Sequence, residues 1–167
     1  MENPISVANF FIKKSLEAGQ LLTPMKVVKL VYIAHGWHLG LTGKPLLNEV
    51  AQAWKYGPVV PSVYNEFKSY QSKPITQVAW SLAPSGELND YPLSDEALVP
   101  FLERIWDVYK GYTGTDLSAL THQENTPWYE TWNLGGGKDN LGAPIPNPLI
   151  ERHYKQLVTA NSKVNVA

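Results

Sequence analysis

The segment from Thr23 to Tyr64 constrains the fold more than any other, because it joins a nearly all-apolar helix to a rigid Gly-Pro corner. Thr23 followed by Pro24 reads as a helix start: the threonine caps the first amides, and proline sits where its missing N–H is no loss. Val27, Val28, Leu30, Val31, Tyr32, Ile33 and Ala34 then cover most of the circumference, which predicts a central helix, from about Pro24 to Leu41, enclosed on several sides. Gly36 and Gly40 lie four apart and predict close approach of another backbone along one face, despite about 1 kcal/mol each relative to alanine. Tyr56-Gly57-Pro58 closes the segment as a turn after a short extended run through Trp54.

Around this strut, 167 residues suit one domain with its own core. The expected class is mainly α (α+β): a single compact helical domain with a small β-hairpin or short sheet. Ser6 is the expected cap of a first helix ended by Gly19, Pro61-Ser62 opens a third, Ser94 caps a fourth ended by Gly111, and Thr115 and Thr126-Pro127 begin two short ones. Residues 73 to 91 carry β-formers and the Pro84-Ser85-Gly86 turn signal, and predict a hairpin or flap. Gly135 to Asn147 reads as a surface loop, and Asn147-Pro148 restarts helix. The domain is placed at residues 1–158, and 159–167 is expected to form a flexible tail.

The charge balance, 14 Lys+Arg against 15 Asp+Glu, provides no overall basic field for nucleic acid. Lys13, Lys14, Lys26 and Lys29 suggest at most a modest, solvated basic strip. Absence of cysteine removes thiol chemistry and fits a reducing compartment. The amino terminus lacks a secretory pattern, and no apolar run approaches the roughly 20 residues of a membrane span. The cytoplasm is the expected location, with no membrane partner.

His35 and His38, with His122 and Glu124, are the imidazoles and acid a metal would use, but no HExxH or CxxC accompanies them, so no metal or cofactor is assigned. Ser118 and His122 lie one helical turn apart without an orienting acid or a G-x-S-x-G elbow, so no catalytic residue is assigned either. His122 is expected to tie together the turn from Leu120 to Trp128. The Gly135-Gly136-Gly137-Lys138 run lacks P-loop spacing, and Asp139 stands where a Ser or Thr would be needed. Surface-clustered Trp and Tyr are common interface anchors, which selects Trp37, Trp54, Tyr56 and Tyr64 as candidate contacts beside the Gly-Pro corner.

The residues Thr23 to Tyr32, Ala34-His-Gly-Trp37, Leu39, Gly43-Lys-Pro-Leu46, Ala53-Trp54 and Tyr56-Gly-Pro-Val59 resemble the Panacea antitoxin domain, the SocA-like family also described as phage-associated protein GepA. Leu120-Thr-His122 followed by Thr126-Pro127-Trp128 is similar to that family's second signature. Within these motifs Tyr32, Gly36, Gly57, Pro58, His122, Pro127 and Trp128 are expected to be structural. The resemblance implies the antitoxin half of a toxin–antitoxin pair, often carried by prophages, that binds a cognate protein toxin, with delivery to a ClpXP-type protease as a possible second step. It supplies no catalytic residue and leaves homo-oligomeric state open. Two rivals remain at this point, a DNA-binding transcriptional regulator and a small histidine-dependent hydrolase.

Overall fold

The computed structural model describes residues 1–166, with side chains through residue 162. Helix α2, Pro24–Thr42, runs through the middle, capped at its start by Thr23 and at its end by Gly43 in the left-handed conformation. Val27 through Gly36 are buried without interruption. Around it pack α1 (Pro4–Ala18), α3 (Pro61–Phe67), α4 (Val99–Tyr109), α5 (Gly114–His122) and α7 (Asn147–Val166), with the single turn α6 (Pro127–Tyr129) continuing as a π turn over Glu130–Leu134. The expected tail from residue 159 is thus drawn into α7 as far as Val166.

Several expected caps lie elsewhere. Asn3 starts α1, its side chain accepting from Ile5 N–H with Pro4 in the first turn, so Ser6 is an ordinary buried helix residue. Thr113 starts α5 through a reciprocal capping box with Asp116, two residues before the expected Thr115. Ser94 instead hydrogen-bonds the buried Glu2 carboxylate, while Asp95 caps the 3-10 turn that leads into α4.

The sheet is small. Strand β1 (Gln52–Trp54) pairs antiparallel with β2 (Gly57–Val59), and on its other side with β5 (Ala143–Pro144), in the order β2-β1-β5. The third strand was not anticipated: the stretch after Gly135 is no mere excursion, since Gly137 and Ile145 are buried and the chain returns to the sheet. The expected flap is the hairpin of β3 (Ser81–Leu82) and β4 (Leu88–Asn89). Its root is fixed by buried Asn9, whose amide donates to Ala79 O and Asp90 O and accepts from Ala79 N–H.

The pairing of α2 with α7 follows from the two glycines. A Cβ on Gly36 would stand 2.1 Å from the Tyr154 ring, and one on Gly40 would stand 2.7 Å from Tyr154 Cβ and 2.8 Å from its carbonyl carbon. Alanine at either position is expected to destabilise the domain by about 2 kcal/mol or more in urea denaturation, against the small gain alanine gives an open helix. Removing the ring with Tyr154→Ala should offset the clash at Gly36→Ala but not at Gly40→Ala, where the obstacle is backbone.

Candidate functional site

The Gly-Pro corner is held by side chains from three helices, and this clamp builds the site. Trp54 O accepts from Trp128 Nε1–H at 2.6 Å, Tyr56 O from the Ser118 hydroxyl at 2.7 Å, and Pro58 O from the Lys29 ammonium at 2.7 Å. The two motif regions separated by some sixty residues in sequence, around Trp54–Pro58 and Ser118–Trp128, are therefore one structure. Gly57 has φ +114°, a region side chains rarely enter, and a Cβ there would also meet Lys29 Nζ at 2.8 Å.

Lys29 is 3% exposed and stands among apolar neighbours in α2. Burial pulls its ammonium down from the ordinary lysine value of 10.5 to about 7. Lys26, also buried, donates to Lys110 O, and its ammonium too is lowered by burial. Lys13 and Lys14 pair with Asp90 and Glu103. The modest basic strip suggested by sequence is thereby corrected: two of its four lysines are internal and the other two are neutralised, which removes the face a DNA-binding reading would have used.

The histidines serve as connectors. His35 is fully buried, with Nδ1 accepting from Leu47 N–H at 3.3 Å and Nε2 at 3.0 Å from Asn147 Oδ1, so the ring joins α2, the Leu46–Leu47 turn and the start of α7. Burial lowers its pKa, and the bond to Asn147 partly opposes this. His38 Nδ1 bonds Lys44 O at 2.7 Å. His122 Nδ1 bonds Ser118 O within α5, and its ring meets Trp128 edge-on at 5.3 Å. The Ser118 hydroxyl is turned to Tyr56 O and not to this imidazole, so the pair lacks the contact a nucleophile and its base require. Tyr32, at the centre of α2, is buried with its hydroxyl unpaired among the described residues, and burial raises its pKa. Tyr32→Phe is expected to leave stability unchanged or raise it by about 1 kcal/mol in urea denaturation, since a buried hydroxyl without a partner is a cost.

Beside the clamp opens a groove of about 980 Å³. Pro24, Met25, Val28 and Lys29 of α2 form one wall, Trp54 to Tyr56 and Val59 the floor, Tyr64 and Lys68 the α3 side, and Trp132 with Gly137 to Asp139, Leu141 and Gly142 the opposite lip. Trp54 and Tyr64 meet edge-to-face at 4.8 Å, and Trp132 is stacked on Trp128 at 5.6 Å. Of the four aromatic contact candidates, Trp54, Tyr56 and Tyr64 thus come together. Trp37 does not: its indole N–H donates to Tyr109 OH and its ring packs on Tyr154 at 5.3 Å, about 12 Å along the helix from Lys29. Sequence reasoning missed Trp132 and Met25, which line the groove from two distant segments.

Fold and groove define a helical scaffold that presents a preformed aromatic recess. The chain belongs to the antitoxin SocA-like, Panacea domain family, whose sequence profile matches residues 27–129, from within α2 to the end of α6. It is similar to antitoxin SocA of Caulobacter vibrioides (strain NA1000 / CB15N), 28% identical over 152 residues that cover 90% of this chain and 81% of that protein. No solved structure matches it. Membership supports an antitoxin role and points away from catalysis. Among the described residues, no helix is long and apolar enough to cross a membrane.

The buried Lys29 gives stability a definite pH dependence. With the folded-state value lowered, the unfolded chain holds the additional proton between about pH 7 and 10.5, so stability is least below that window and rises through it. Between pH 7 and pH 9 the gain over a Lys29→Met variant is expected to be about 2 kcal/mol, read as the difference in urea unfolding free energy.

Proposed function

We propose that this chain is an antitoxin that neutralises a cognate protein toxin by direct binding, with the groove beside the Gly-Pro corner as the contact surface. The observation that carries the reading is the convergence of Trp54, Tyr56 and Tyr64 on one open recess whose backbone is clamped to α2, α5 and α6. Tyr56 is 67% exposed although its own carbonyl is tied down, so an apolar anchor is held ready at little ordering cost. Such a surface suits stoichiometric capture, and capture suffices to suppress a toxin. Handover to a ClpXP-type protease would follow binding as a separate step, read from the toxin's half-life with and without that protease.

The reading is tested by expressing the product of the adjacent reading frame alone and together with this chain. Growth arrest by the neighbour alone and growth on co-expression are expected. Tyr56→Ala combined with Tyr64→Ala should keep the fold and weaken toxin binding by about 2 kcal/mol or more, roughly thirtyfold in Kd. Trp37→Ala, if folded, should bind as the unaltered chain does. A neighbour that is harmless by itself would overturn the antitoxin reading, and equal rescue by the double variant would remove the groove from it.

A further inference from the structure

The groove carries a charge pattern that the whole chain does not. Lys29, Lys55, Lys68 and Lys138 line it against one acid, Asp139, although the chain as a whole has a net charge of −1. Elsewhere among the described residues Lys13, Lys14, Lys110, Arg152 and Lys155 each face a carboxylate, whereas Lys44, Lys73 and Arg104 stand alone; the groove differs in gathering its cations around one recess. Among the described residues none of the four groove lysines faces a carboxylate. Lys55 lies over the Tyr56 ring at 5.4 Å, Lys68 donates to Asn65 Oδ1 at 3.2 Å, and Lys29 has Pro58 O as its acceptor. Cations left without counter-charge around an apolar floor are complementary to a ligand that brings both acid and apolar surface.

We infer that the groove accepts an acidic, apolar segment of the partner protein, its aromatic or aliphatic side chains seated on Trp54, Tyr64 and Trp132 and its carboxylates on Lys55, Lys68 and Lys138. This deepens the antitoxin reading and rests on it for the partner's identity, but not for the chemistry of the segment. Lys29, 3% exposed, has a backbone carbonyl but no anion beside it and is only partly charged near neutral pH, so the positive charge of the groove is carried by the three exposed lysines. The neighbouring anchors supply the apolar part, since Trp54, Tyr64 and Trp132 line the same recess as Lys55, Lys68 and Lys138.

The test is selection of phage-displayed random peptides of about a dozen residues on the immobilised full chain, a length that suits groove recognition. The recovered peptides are then measured against Lys55→Glu/Lys68→Glu/Lys138→Glu and against the milder triple glutamine variant. All three lysines are exposed, so both variants should fold, and circular dichroism checks this. The expected result is recovery of peptides with acidic residues beside Trp, Phe or Leu. Their affinity should fall roughly tenfold or more in the glutamate variant, less in the glutamine one, and with rising salt.

Recovery without acidic enrichment, no recovery, or equal binding to the glutamate variant would each overturn the inference. So would oligothymidylate binding as tightly as the peptides with the same lysine dependence, which would mark a general polyanion site. Harmlessness of the adjacent gene product with acidic peptides still captured would defeat the antitoxin reading alone. Toxin neutralisation that survives the glutamate variant would defeat the groove inference alone.

Discussion

Everything at the groove depends on a backbone whose carbonyls are already spoken for. The corner between β1 and β2 offers three of them to α2, α5 and α6, and each is met by a different chemistry: an ammonium, a hydroxyl and an indole. Burial draws the pKa of the Lys29 amine down to about 7, and the group can donate to Pro58 O whether or not it carries the extra proton. It also sets the steric rule at Gly57, because the amine occupies the space a side chain would need.

The clamp explains why the central helix is so apolar and yet contains lysine. Between Val27 and Gly36 the helix has no wet face on which to place a cation, so burial lowers the Lys29 pKa to about 7 while Pro58 O satisfies one of its donors. The same helix is gripped from another side by α7 through Gly36 and Gly40, and by His35, which links it to Leu47 and Asn147. Helix α2 is therefore shared by recess and scaffold, and it supplies Met25 and Val28 to the groove wall.

Much of this was legible in the sequence where local chemistry decides the outcome. The Thr23-Pro24 start, the apolar run and the glycine pair specified α2 and foretold a close neighbour, although not that Tyr154 would fill the space. Tyr56-Gly57-Pro58 located the turn to within a residue, since Lys55 and Tyr56 make it and Gly57 and Pro58 already belong to β2. Caps were less secure because candidate residues recur: Asn3 and Ser6, or Thr113 and Thr115, compete within one turn, and only the position of the first helical hydrogen bond separates them. Burial of Lys26 and Lys29 was hidden, since a lysine reads as solvated until a distant carbonyl is seen beside it. The groove was hidden for a similar reason, its lining being spread from residue 24 to residue 142. Trp37 shows the opposite error, in which nearness in sequence suggested a shared surface and a helix carried the indole away.

The division of labour at the corner has a consequence for how such a protein diversifies. Main-chain oxygens of Trp54, Tyr56 and Pro58 secure the architecture, whereas the side chains of Lys55 and Tyr56 project outward and secure nothing internal. Inheritance can thus rewrite those two outward letters without renegotiating the folding of the whole. A lineage built on this plan is free to alter that outward surface while keeping its skeleton.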